Sequence, residues 1–132
     1  MDRVQKILNF SARVISGRRK FDHISDVQIG LGWLSAPDLV QYHTLMLAHK
    51  VLLHGESEVL ATLFWRCRDV RDRQTRQDGA LRAPRCRTVC GQRQFAYRAA
   101  KQYNALPTAV TDRSVQSFRR ALQCLLTVTA DD

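Results

Sequence analysis

No stretch of this sequence approaches the run of about 20 apolar residues that a membrane-spanning helix needs, so no membrane partner is expected. The opening MDRVQKILNF sets charges among its apolar residues, where a secretory signal would keep an unbroken apolar core. Both absences point to an intracellular chain, in nucleus or cytoplasm. Cysteine is sparse: Cys67, Cys86, Cys90 and Cys124 make no disulfide framework of the kind that staples small secreted domains. Internal repeats and low-complexity tracts are missing too, which excludes repeat architectures.

Metal patterns are also lacking. Cys86 and Cys90 stand within zinc-ligand spacing, but a structural site needs four ligands, and His23, His43, His49 and His54 all precede the pair. Cys67 could supply only a third. His43, His49 and His54 follow one another at intervals of six and five, which do not stack on one helical face. HGESEVL is not the paired-histidine motif of zinc proteases. Asp131 and Asp132 in the terminal TADD have the look of a magnesium-holding aspartate pair, yet they follow a finished helix at a chain end, where fraying prevents a fixed two-metal geometry. No metal and no cofactor are expected.

Asp22–His23 could be a base with its orienting acid. Adjacent side chains rarely point at each other, however, and no nucleophile or phosphate-cradling glycine loop lies nearby. The expected role is structural: a pair leaving a turn before a capped helix can bond exposed backbone groups and set the chain's entry angle.

What the sequence has in excess is arginine, 17 against 4 lysines in a chain of net charge +9. Residues 66–98 hold ten arginines (Arg66, Arg68, Arg71, Arg73, Arg76, Arg82, Arg85, Arg87, Arg93 and Arg98) against Asp69, Asp72 and Asp78. A planar guanidinium donates two parallel hydrogen bonds to an oxyanion, so such a stripe is the footprint of a polyanion binder. Asp72 and Arg73 stand four residues from Arg68 and Asp69 and would pair with them on a solvated helix for little gain. Among the interleaved aromatics, Tyr97 beside Arg98 is the candidate for stacking on an unpaired base; Phe95 and Tyr103 fall on an inward helical face.

At 132 residues and 45% hydrophobic content the chain can bury a core and fits one domain. Apolar residues recur at helical spacing from Val4 to Ile15, and Gly17 follows as a stop. Ser25 opens a short helix, DVQIGL, that Gly30 and Gly32 weaken and end. Ser35 caps a long helix whose Leu39, Tyr42, Leu45, Met46, His49 and Leu53 trace one face, closed by Gly55. A short helix is expected over 57–65. ALRAP and CRTVC leave room for a hairpin around Pro84. QRQFAYRAAKQYNAL reads as a helix stopped by Pro107, and Ser114 caps a last helix with Val115, Phe118, Leu122, Leu125 and Leu126 inward. The expectation is a mainly α domain of about five helices with at most one short β-hairpin near residues 80–90. Its parts are a helical region 1–65, an Arg-rich connector 66–91 and C-terminal helices 92–127.

The blocks VQKILNFSARVISGRRKFDHI, LGWLSAPDLVQYHTLMLAHKVL, TRQDGAL, GQRQFAYRAAKQYNALP and SVQSFRRAL, in that order, resemble the segment that follows the polymerase core in jockey-like non-LTR retrotransposon reverse transcriptases. The resemblance runs from about Val4 to Leu125. Asp22, His23, Trp33, Leu34, Asn104, Leu106, Pro107 and Phe118 match its structural signature. Lys6 stands where that family tends to have Asn, Tyr103 where it has Trp, Gly30 where it has a charged helix former, and Ser57 near an expected proline. The resemblance implies a non-catalytic, transposon-derived helical segment, because the polymerase palm is not in this sequence. Such a segment would support a reverse transcriptase core and contact RNA or DNA. The other reading it allows is a structural or protein-interaction module, orphaned or repurposed by a host, which would expose an apolar patch where its partner belonged.

Overall fold

The computed structural model describes residues 2–55, 57–70 and 79–128. These residues form helices α1 (Asp2–Ser16), α2 (Ser25–Gly30), α3 (Ala36–His54), α4 (Glu58–Ala61), α5 (Cys67–Val70), α6 (Val89–Gln92), α7 (Phe95–Asn104), α8 (Thr108–Thr111) and α9 (Val115–Val128). The chain is mainly α, as expected. Five of the helices exceed four residues and the rest are single turns. Among the described residues the one extended feature is an antiparallel bridge between Arg66 and Leu81. The hairpin around Pro84 does not form: Leu81 pairs with Arg66, Pro84 has no N–H for a ladder, and Thr88 caps α6, its Oγ1 accepting from Gly91 N–H at 3.1 Å.

The helix ends follow the local chemistry. Gly17, Gly32 and Gly55 adopt φ of 67°, 65° and 59°, left-handed values that residues with a Cβ avoid. After α1 the Arg18 N–H reaches back to Arg13 O, after α2 the Trp33 N–H reaches Gln28 O, and after α3 the Gly55 N–H reaches Val51 O, so each stop satisfies a terminal carbonyl. At the start of α3 the Ser35 hydroxyl accepts from Asp38 N–H at 3.4 Å and donates to the Asp38 carboxylate.

Contacts divide the chain into two compact units, one built from Met1–Tyr42 with Leu122–Asp132 and the other from His43–Ala121. In the first unit Ala12, Ile24, Ala36, Leu122 and Leu126 are buried. Helix α1 is turned contrary to its apolar pattern. Its inward side carries Gln5, Asn9 and Ala12: Gln5 Nε2 and Gln28 Nε2 both donate to Asn9 Oδ1, and Gln5 Oε1 accepts the Ala36 N–H at 2.8 Å. That last bond satisfies one of the N–H groups a helix start leaves without an intrahelical partner. Ile7, Phe10 and Val14 are 63%, 67% and 65% exposed as a consequence.

In the second unit Leu45, Ala48, Val51, Leu81, Ala99, Ala100, Val110 and Phe118 are buried around His49, the one buried polar residue recorded there. His49 Nε2 lies 3.0 Å from the Arg113 carbonyl, which can only accept, so Nε2 carries the proton. Nδ1 then accepts from the Tyr103 hydroxyl at 2.9 Å, and the imidazole stacks on Phe118 with centroids 3.8 Å apart. Burial lowers the His49 pKa from its ordinary value, against the opposing bond to Arg113 and with a small further lowering from His54. Burial likewise raises that of Tyr103, keeping it a neutral donor. Leu53, expected inward, is exposed, while Ala48 and Val51 are buried in its place. Leu125 is also partly exposed at the edge of the α9 stripe formed by Phe118, Leu122 and Leu126.

Candidate functional site

Helix α7 has two faces. Ala99 and Ala100 are buried, and Phe95 meets Phe64 edge-on at 5.8 Å. Away from Ala99 and Ala100 lie Tyr97, Arg98 and Lys101, while Gln102, seven residues after Phe95, falls on the Phe95 side. With Val89, Gln92 and Arg93 they line an open cleft of about 310 Å³. Thr88 caps the single turn that precedes α7, and Gly91 sits so close to Cys86 that a Cβ there would meet the Cys86 Cβ at 3.2 Å.

Among the described residues, three cations and no acid line this cleft. An anion entering meets Arg93, Arg98 and Lys101, with no carboxylate among the described lining residues. Tyr97 and Arg98 are half-buried at this cleft. Gln102 Oε1 is buried and has no hydrogen-bond donor among the described residues. Chemically the arrangement suits an oxyanion attached to a planar group: forked donors for the one, an aromatic face for the other.

The remaining arginines of the Arg-rich stretch are distributed differently. Arg66 is half-buried and lines a separate cleft, also about 310 Å³, with Leu81, Tyr103, Asn104 and Asp112. It therefore shares a cleft with an acid and not with Arg93 and Arg98. Arg68 is exposed, with its Nε 3.5 Å from Asp69 Oδ1, an exposed pair of little energetic weight. Arg82, Arg85 and Arg87 are exposed on the connecting segment before α6. Arg71, Arg73 and Arg76 lie outside the described residues, as do Asp72, Asp131 and Asp132. The structure thus gathers Arg93, Tyr97 and Arg98 and adds Lys101, a cation outside the arginine pattern of the sequence. Its position four residues after Tyr97 was the available signal.

The signature residues occupy joints and core. Asp22 Oδ2 accepts the Arg19 N–H at 2.9 Å, closing the turn between α1 and α2. The His23 carbonyl accepts from Arg18 Nη1 at 3.0 Å while Arg18 also pairs with Asp26, so this histidine contributes its backbone to the joint. Asp22 and His23 are both exposed, Trp33 and Leu34 are half-buried, and Phe118 is fully buried. Asn104 clasps the backbone of Leu81, accepting its N–H and donating to its carbonyl, both at 2.8 Å. Leu106 is half-buried, and Pro107 begins α8, its carbonyl accepting the Val110 N–H. Cys67, Cys86, Cys90 and Cys124 are free thiols, and no group of three or more metal-ligating side chains occurs among the described residues. No helix there is long and apolar enough to cross a membrane. No protein-family model, no curated protein and no solved structure matches the chain.

Proposed function

We propose that this chain is a non-catalytic, basic segment that binds RNA or DNA through phosphate contacts, of the post-polymerase kind found in the non-LTR retrotransposon reverse transcriptases it resembles. The observation that carries the reading is the cleft of Arg93, Arg98 and Lys101 around Tyr97, lined by no acid among the described residues. The net charge of +9 adds a long-range field that concentrates polyanions near it. Phosphate supplies most of the affinity in this reading, so sequence preference is weak and salt dependence steep. Arg82, Arg85 and Arg87, exposed on the segment leading to α6, extend the cationic track. Arg66, which lines a separate cleft with Asp112, stands outside it. A reverse transcriptase core is the protein partner that this reading implies.

The test is fluorescence anisotropy of the purified chain with labelled single-stranded RNA over a range of salt, beside a variant with Arg93, Arg98 and Lys101 changed to Gln. Each lost phosphate contact on a single strand flattens the dependence of log affinity on log salt by about 0.7, so the triple variant should lose about 2 from its slope. A wild type that fails to bind at low salt, or a variant with an unchanged slope, overturns the reading.

A further inference from the structure

The least expected feature of the fold is the outward apolar arc of α1. Val4, Ile7, Phe10, Val14 and Ile15 are all exposed, and Ile7, Phe10 and Val14 follow the three-and-four spacing of a helix that docks by one stripe. The arrangement is not a misplaced core face, because the opposite side of the helix is engaged through Gln5 and Asn9 with Ala36 and Gln28. Rotating α1 to bury the arc would break those bonds and free the Ala36 N–H. The arc is held outward by the helix's own polar contacts.

Its border has a charge of one sign. With Ile7 and Val14 as the first position of successive heptads and Phe10 as the fourth, Lys6 and Arg13 both fall at the seventh, directly flanking the stripe. Arg13 is half-buried and its Nε has no acceptor among the described residues. Seventh-position charges select coiled-coil partners. A second copy laid antiparallel would set Lys6 and Arg13 against Lys6 and Arg13, and the net charge of +9 on each chain adds to the repulsion. A lipid surface is favoured by basic residues on both borders of an apolar face. Here the far border is Leu8 and Ala12, half-buried and buried within the unit.

We infer that the exposed face of α1 is a docking surface for an amphipathic helix of another protein, with apolar residues in its seam and Asp or Glu where it faces Lys6 and Arg13. The surface lies in the first unit and does not depend on the nucleic-acid reading of the cleft on α7. The probe is a fluorescein-labelled peptide of about four heptads with Leu at the first and fourth positions and Glu at the fifth and seventh, whose own charges keep it from self-pairing. The full chain should bind it, bind a scrambled peptide of the same composition at least about tenfold more weakly, and lose about tenfold or more in affinity on Phe10→Asp. Lys6→Glu should weaken binding in the same direction and by more at low salt than at high salt. Circular dichroism of each variant accompanies the titration, and Ile7→Ser replaces Phe10→Asp if that chain fails to fold.

Equal binding of the scrambled peptide, or affinity unmoved by Phe10→Asp and Ile7→Ser, overturns the inference. Absence of peptide binding at low salt does so too. A concentration-dependent dimer in sedimentation that Phe10→Asp abolishes would assign the face to a second copy instead. Binding to vesicles of phosphatidylserine and phosphatidylcholine, lost in Phe10→Asp while the peptide does not bind, would assign it to lipid.

Discussion

Replacing Tyr103 with Phe removes one oxygen and tests the buried network of the second unit. The Tyr103 hydroxyl is the donor to His49 Nδ1 at 2.9 Å, and His49 has no exposed surface through which water could take its place. Phe keeps the ring stack with His49 and Phe118, so the loss is confined to a buried acceptor left without a donor. That costs about 1–3 kcal/mol, which for a chain of this size lowers Tm by roughly 4–12 °C. The pH dependence belongs to the histidine. Its pKa in the folded chain lies below the ordinary value of 6.5, so the unfolded chain takes up a proton that the folded chain refuses. The stability this contributes is complete above pH 6.5 and is lost as the pH falls below it, at up to about 1.4 kcal/mol per pH unit. Between roughly pH 5 and 6.5, above the range where carboxylates titrate, His49→Gln should flatten the curve. Tyr103→Phe should shift the curve down and leave its slope, because burial is the main cause of the lowered pKa. Urea unfolding at a series of pH values measures both. Tyr103→Phe as stable as wild type, or His49→Gln with the wild-type acid slope, would refute the neutral, doubly bonded histidine.

Asn104→Ala strips both polar partners from the Leu81 backbone, each 2.8 Å away, and should destabilise by about 1–3 kcal/mol in urea unfolding; Asn104→Asp, which keeps the acceptor and loses the donor, should fall between it and wild type. Two glycines should respond with opposite signs in thermal melts. Gly55→Ala forces a Cβ into a left-handed turn and should cost about 1 kcal/mol, whereas Gly30→Ala ends α2 in open space with an ordinary helical backbone and should gain about 0.5 kcal/mol.

The parts of the fold legible in the sequence were those set by neighbouring residues. Gly17 and Gly55 as stops, Ser35 as a cap and Pro107 as a break are decisions taken within one turn of chain, and the structure makes them in the same places. Single turns such as α5, α6 and α8 carry no periodicity to read, because four residues cover barely one repeat of 3.6. The Asn104 clasp on Leu81 spans 23 residues and the His49–Tyr103 bond spans 54, so neither has a local signature. The Arg-rich stretch was visible as composition, but composition does not say which charges converge. Arg93 and Arg98 share a cleft because α6 and α7 adjoin, while Arg66 is drawn off by its bridge to Leu81. The direction in which α1 turns was illegible for a different reason. Its apolar spacing is regular, and only the presence of Ala36 N–H and Gln28 makes the polar side the better one to bury.

That inversion separates folding from use. A sequence specifies a fold when caps, stops, buried polar pairs and apolar pattern agree, and departures from such agreement concentrate where a surface is used. Most levels agree here: the left-handed positions are glycines, the buried histidine has both nitrogens bonded, and the turn before α2 is closed by Asp22 and Arg18. One disagreement lies on α1, where an apolar arc bordered by Lys6 and Arg13 faces solvent. Gln5 and Asn9 are well placed for the inward bonds they make, so the arc is not the residue of poor packing. An unpartnered arc of this kind raises the tendency to aggregate, and a partner helix of the proposed kind would cover it.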